Sequence, residues 1–473
     1  MAENKIEGLP LESWPPVPDS AQEPEAAFKP EESAPSRGAF LRIAILIALT
    51  VGFSTIAGTF SGEKLNYLQK DVLKLSAGGM ATMGIVMGLG DYLRPFIGSL
   101  ADVFPLFGYH RRSYYVIGSV ISAASCFALA LLTSYHYYTV LLILTVMGAG
   151  GTMVMIISDA VMVKIGNKTG TVGTLQSVQQ FVPTALSIGG LAWLSGYVTT
   201  HWSYHKCFLV TALISLISLP LFLLIDEKKV IGGQQANESV EEHELRQKQK
   251  TEERHHTLMT LKAAVKSTEL WAIVGFVFYL IFTPSINNAQ FIYQTNFLHF
   301  TPQEIGNLAS PGSSGTILGI LVFGVASRYI PVRSVVWGAW ILDCLTYVIL
   351  YGIRDYASAY AITFIGGAIG IIYTLCLFTL AARACPPGIE GTVYGLVISS
   401  ISLAGALGEK IGDSIFDALG GMNNLTTLHA WHESLIIGLV VTLPAVIFIP
   451  FLPKWTKSNE RLKPKLETQG ETA

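Results

Sequence analysis

Runs of about 20 apolar residues recur twelve times along this chain, most of them parted only by short turns. An α-helix rises about 1.5 Å per residue, so a run of that length makes a rod as long as a bilayer's hydrocarbon core is thick. The runs lie near 39–61, 76–103, 113–134, 137–164, 169–198, 204–225, 269–298, 304–329, 333–353, 356–382, 389–418 and 433–452. Composition points the same way. Residues are 51% hydrophobic and 14% charged, where soluble domains carry roughly a quarter charged. Mean hydropathy is +0.48. The fold class expected is an all-α membrane protein with twelve transmembrane helices. A net charge of −2 offers no field that would draw a nucleic acid, so no such partner is expected. Cys126, Cys207, Cys344, Cys376 and Cys385 are scattered, with no CxxC pair. They read as small buried hydrophobes, and neither a metal nor a cofactor is expected.

Polar segments set the domain boundaries. Residues 1–38 are acidic and proline-rich and read as a disordered tail. Residues 39–225 hold six spans, 226–268 form a charged central loop, 269–452 hold six more, and 453–473 form a second tail. The even-to-odd turns carry Arg111, Arg112, Lys164, Lys168, Arg328, Arg333 and Arg383, whereas the opposite turns carry Lys64, Lys70, Lys74, Lys206 and Arg354. The excess of basic residues places both termini and the central loop in the cytoplasm. A plasma membrane or bacterial inner membrane is the expected location, with the lipid bilayer as partner and a monomer as the working unit.

The two halves echo each other. Gly170-Thr-Val-Gly-Thr-Leu175 opens the fifth span and Gly391-Thr-Val-Tyr-Gly-Leu396 the eleventh; Arg112 and Arg333 end equivalent turns. Both pairs share one offset of 221 residues (391 − 170 and 333 − 112). Gly324-Val-Ala-Ser-Arg328 reads as a degraded copy of Gly98-Ser-Leu-Ala-Asp102. Parallel six-helix halves around a central cavity are the major facilitator architecture, with substrate near the midplane.

Gly-x-Leu-x-Asp followed by Gly-x-x-Arg-Arg, over Gly98–Arg112, resembles the loop motif of that superfamily. Arg94-Pro-Phe-Ile-Gly98, Asp102, Phe104-Pro105, Phe107-Gly-Tyr109 and Arg111-Arg112 resemble the folate–biopterin transporter family more specifically, as does Asp159-Ala-Val-Met-Val in the fourth span. Arg94 stands where that family usually has lysine, Ala101 where serine precedes the aspartate, and Lys164 where glutamate is expected. The resemblance implies a secondary active transporter that carries a folate- or pterin-like organic anion by alternating access, and no enzyme. It also implies that Gly98, Asp102, Arg111, Arg112, Lys164 and Arg328 form a gating latch, a bistable charge cluster at the cytoplasmic ends of the spans.

Charges at bilayer depth are costly and face a cavity or a partner. Asp91 and Arg94, three residues apart, share a face of the second span. They either line the cavity, with Arg94 drawing an anion, or merely neutralise each other. Asp159 either accepts paired N–H donors or binds the coupling ion, or else completes a structural ion pair. Asn287, Gln290 and Gln294 share a face of the seventh span near Pro284, where amides can line a cavity. Gln176, Gln179 and Gln180 on the fifth span read as glue between helices. So do Glu409, Lys410 and Asp413 on the eleventh, with Lys410 and Asp413 spaced to pair.

With no phosphate-cradling loop in the sequence, concentrative transport must draw on an ion gradient, and proton symport is the working expectation. One charge crossing 100 mV supplies about 2.3 kcal/mol. The alternatives are a permease for another solute (sugar-peptide, nucleoside or drug), or a non-transporting assembly factor or receptor on the same scaffold.

Overall fold

The structure is a computed structural model that describes residues 37–94, 96–97, 112–169, 184–185, 190–224, 268–326, 332–383 and 390–451. Among them all regular structure is helical. The elements are α1 (Arg37–Tyr67, continued by a π turn at Leu68–Val72), α2 (Ala77–Met87, continued at Leu89–Tyr92), α3 (Arg112–Leu131), α4 (Tyr137–Thr169), α5 (Ala192–His201) and α6 (Tyr204–Leu223). There follow α7 (Thr268–Phe282, then Asn287–Ile292 with a π turn at Tyr293–Phe297), α8 (Pro302–Ala326), α9 (Val332–Leu350), α10 (Tyr356–Arg383), α11 (Glu390–Ala418) and α12 (Thr427–Thr442, ending in a 3-10 stretch at Leu443–Phe451). Each of the twelve apolar runs thus holds a helix. Seven helices among the described residues are long and apolar enough to cross a membrane. Side chains such as Leu142, Leu321, Val325 and Ile447 point outward, more than 60% exposed, as lipid-facing residues do.

α1 and α12 are among the helices that outrun their apolar runs. α1 continues past Gly62 through Glu63 and Lys64 because Lys64 reaches the carbonyls of Thr199 and Trp202, at 2.8 and 2.7 Å. α12 begins at Thr427, ahead of the apolar run, where the Thr427 hydroxyl donates to Gly421 O at 3.0 Å.

The turns before α2, α4, α6, α8, α10 and α12 gather at one end, here the upper end. They are built from capping residues. Glu304 Oε2 accepts the Thr301 N–H at 2.8 Å while Thr301 Oγ1 accepts the Glu304 N–H at 3.2 Å, a reciprocal box that starts α8. Asp355 Oδ1 accepts the Ser358 N–H at 2.7 Å at the start of α10, and this bond holds the exposed carboxyl below its ordinary pKa.

α1–α6 pack as one half and α7–α12 as the other, and the halves meet through α2 with α11, α5 with α8, and α2 with α7. α5 and α8 cross so closely that a Cβ on Gly306 would lie 2.6 Å from the Gly196 Cα. Glycine at both positions permits the approach, since lipid offers helices no hydrophobic drive to associate and close packing must supply it. A buried cluster at the upper end joins Tyr67, Ala77 and Met80 of the first half to Ile292, Tyr293, Phe416 and Trp431 of the second.

Candidate functional site

α7 breaks at Thr283–Ile286, where Pro284 cannot donate a helical hydrogen bond. Backbone freed at membrane depth needs new partners. The Ser285 N–H finds Gly408 O at 3.3 Å, and the Tyr347 hydroxyl donates to Pro284 O at 2.8 Å. α11 comes this close because Gly408 and Gly412 face the break. A Cβ on Gly408 would meet Thr283 O at 2.7 Å, and one on Gly412 would overlap Ser285 O.

Beside the break opens a cavity of about 390 Å³, within the ~300–1,000 Å³ of small-ligand sites. α7 contributes Asn287 and Gln290, α9 Asp343 and Tyr347, α10 Tyr373, and α11 Glu409. The walls are mostly apolar or aromatic, with amides, hydroxyls and two carboxyls placed among them. No basic side chain lines the cavity among the described residues. Asn288, just behind, donates to Glu409 Oε1 at 2.9 Å and Asp413 Oδ2 at 2.8 Å, and Asp413 Oδ1 accepts the Ala289 N–H at 2.9 Å. The restart of α7 is thereby pinned to α11.

The first half carries a smaller polar cluster. Asp91 Oδ1 accepts from Arg94 Nη2 at 2.8 Å, from Arg94 Nε at 3.0 Å and from the Thr152 hydroxyl at 2.9 Å. Gly90 lets this stretch approach α4, since a Cβ there would stand 2.9 Å from Thr152 Oγ1. The pair is about a third exposed, with side-chain exposures of 26% for Arg94 and 37% for Asp91. Asp159 sits seven residues on from Thr152 along α4, on the same stripe and about 10 Å nearer the lower end. It is partly buried and has interactions of its own.

The residues singled out in the sequence therefore fall in three places. Asp91 and Arg94 come together with Thr152; Asn287 and Gln290 line the cavity, whereas Gln294 of the same face is buried away from it. Of the expected latch, Arg112 donates to Leu223 O at 3.5 Å, at the end of α6. Gly98, Asp102, Arg111 and Arg328 lie outside the described residues, as do Gln176, Gln179, Gln180, residues 1–36 of the first tail, 226–267 of the central loop and the second tail; Lys164 lies on α4, its side chain undescribed. The pairing of Lys410 with Asp413 that their spacing allows is not used. Lys410 instead donates to Gly78 O, 2.8 Å away on α2. Asp343, Tyr347 and Tyr373 were missed. An aspartate alone in the apolar run of α9 is the same signal that exposed Asp91 and Asp159.

Comparison with known proteins follows the same lines. A family model described as the BT1 family matches residues 55–471. A folate-biopterin transporter of Synechocystis sp. (strain PCC 6803) is 27% identical over 442 residues, covering 90% of this chain and 84% of the relative. Folate transporter 1 of Plasmodium falciparum is 22% identical, covering 90% and 81%. Among solved structures, the nucleoside transporter NupG superposes with a TM-score of 0.65 at 16% identity, over 86% of this chain and 99% of its own. A D-xylose–proton symporter gives 0.62 at 14% identity, over 88% and 98%. At such identities the structural matches speak for the fold, which is that of the major facilitator transporters.

Proposed function

Since the chain belongs to the BT1 family, we propose that it moves a folate- or pterin-like organic anion across its membrane by alternating access between its two six-helix halves. The observation that carries the reading is the match to relatives named as folate and folate-biopterin transporters over about 90% of the chain. The cavity agrees with it in chemistry: amides, aromatic rings and carboxyls suit a flat heterocycle rich in N–H donors. On this reading Asp91, Arg94 and Asp159 serve the substrate and the coupling ion from the first half, and Asn287 and Gln290 serve it from the second. Gly98, Asp102, Arg111, Arg112, Lys164 and Arg328 latch the lower end. The basic even-to-odd turns put that end in the cytoplasm with both tails, and the upper end outside. The gradient that drives uptake is a proton gradient.

Uptake of labelled folate and biopterin into cells with and without the protein, at external pH 5.5 and 7.5, tests this. Expression should raise uptake, more so at the acid pH. Equal uptake in both cell lines would reject the substrate class. Fold neighbours that carry nucleosides and xylose make those solutes the first to try next.

A further inference from the structure

The cavity beside the α7 break contains a carboxyl whose bonding is incomplete. Asp343 is 9% exposed and is hydrogen-bonded to the Thr283 side chain, yet its Oδ2 has no hydrogen-bond partner among the described residues. A buried carboxyl oxygen is seldom left unbonded, because desolvation is not recovered without a donor. Two nearby hydroxyls have partners besides Asp343. The Tyr347 hydroxyl points to Pro284 O at 2.8 Å and Thr283 Oγ1 at 3.3 Å, and the Thr283 hydroxyl donates to Leu280 O at 2.8 Å. No basic side chain stands on the cavity wall among the described residues to meet the oxygen that is left over, and Asp343 lines the cavity that a ligand would enter.

We infer that Asp343 binds the donor edge of the substrate's ring, accepting a pair of adjacent N–H groups such as the 2-amino group and N3–H of a 2-amino-4-oxo-pteridine. The inference rests on the folate- or pterin-like reading above and names the group that reads it. A carboxylate meeting two parallel N–H donors makes two charge-assisted bonds at once, and the geometry selects a planar edge. Tyr347 and Tyr373 line the same cavity and offer the ring apolar contact, while Asn287 and Gln290 supply further polar groups. The same wall explains which end enters. No basic side chain among the described lining residues would meet a negative group, so the substrate's negative end is turned away from this cavity and its ring toward it.

Pterin and lumazine differ only in having an amino or an oxo group at C2, so they separate this contact from shape. Binding of both to the purified full-length protein, wild type and Asp343→Asn, is measured by calorimetry at one pH. Wild type should bind pterin at least about tenfold more tightly than lumazine, the range of a hydrogen bond to a charged group. The amide of the Asp343→Asn variant would present one donor and one acceptor, which suit the 2-oxo edge, so the preference should vanish or invert. That ligand comparison in the wild type needs no folded variant. A wild type that binds the two alike overturns the inference, as does an Asp343→Asn protein that keeps the full preference or loses both ligands equally. If the variant still prefers pterin but its uptake no longer responds to a proton gradient, Asp343 serves coupling and not recognition, and the inference is likewise overturned. A wild type that binds neither pterin nor lumazine, folate nor biopterin overturns the substrate reading itself.

Discussion

Asp91 and Arg94 illustrate how one geometry serves two explanations. Their 2.8 Å contact, backed by Thr152, neutralises both charges at membrane depth, which alone would justify keeping them together. A merely neutralising pair can be removed as a pair. A pair that meets substrate cannot, because the double variant lacks the groups the substrate uses. Asp91→Asn and Arg94→Gln should each lower the kcat/KM of uptake at least about tenfold, ~1.4 kcal/mol in transition-state terms. The double variant Asp91→Asn/Arg94→Gln should do no better than either. The readout is initial uptake rate normalised to protein at the membrane. Recovery of the double variant toward wild type would assign the pair to structure alone. Each single variant leaves one charge unpaired at membrane depth whereas the double variant leaves none, so comparing them separates folding from transport.

At the scale of helices, the site depends on how closely α11 can approach the break in α7. Gly408 and Gly412 are spaced by one turn and both face it. A side chain at 412 would press on the Ser285 carbonyl, and the pinning bonds from Asn288 and Ala289 to Asp413 would lengthen with it. Gly412→Val should therefore cost about 1–3 kcal/mol of stability, the range for overpacking, and should weaken ligand binding as well. Thermal unfolding in detergent and ligand titration on the same sample check both effects. An unchanged midpoint with unchanged affinity would mean that α7 does not need this contact.

The same elements show what was legible beforehand. The helices were, since apolar length is a property of consecutive residues. Asn287 and Gln290 were, since three-residue spacing puts two amides on one face. Asp343 carries the same signal as Asp159, a lone carboxyl in an apolar run, but its significance comes from what α7 and α10 bring up against it. Lys410 was paired with Asp413 by spacing, yet its partner is the Gly78 carbonyl 332 positions away. Contacts of that kind arise from packing between halves, and nothing in the local pattern of either segment announces them.

Taken as a whole, the molecule is closed at its upper end, and the closure is specific. Lys410 Nζ donates to Gly78 O at 2.8 Å while Asp417 Oδ2 accepts the Gly78 N–H at 2.8 Å, so α11 holds both polar groups of one residue at the start of α2. Lys70 reinforces the seam by donating to Thr295 Oγ1 and Asn296 Oδ1, each at 2.9 Å. The buried cluster around Tyr293 and Trp431, whose rings stack with centroids 4.8 Å apart, seals the layer beneath. An alternating-access protein must undo all of this once per cycle, so the bonds at Gly78 set part of the difference between its two states. A hydrogen bond from a charged donor contributes about 1.5–3 kcal/mol, enough to shift the ratio of two states roughly tenfold or more. Lys410→Met should therefore populate an arrangement in which the upper end is parted. Spin labels at His201 and Leu425, exposed residues of opposite halves at that end, give the measurement. The variant should show a longer-distance population that wild type lacks without ligand. An identical distance distribution in both proteins would mean that the apolar cluster alone keeps the upper end shut.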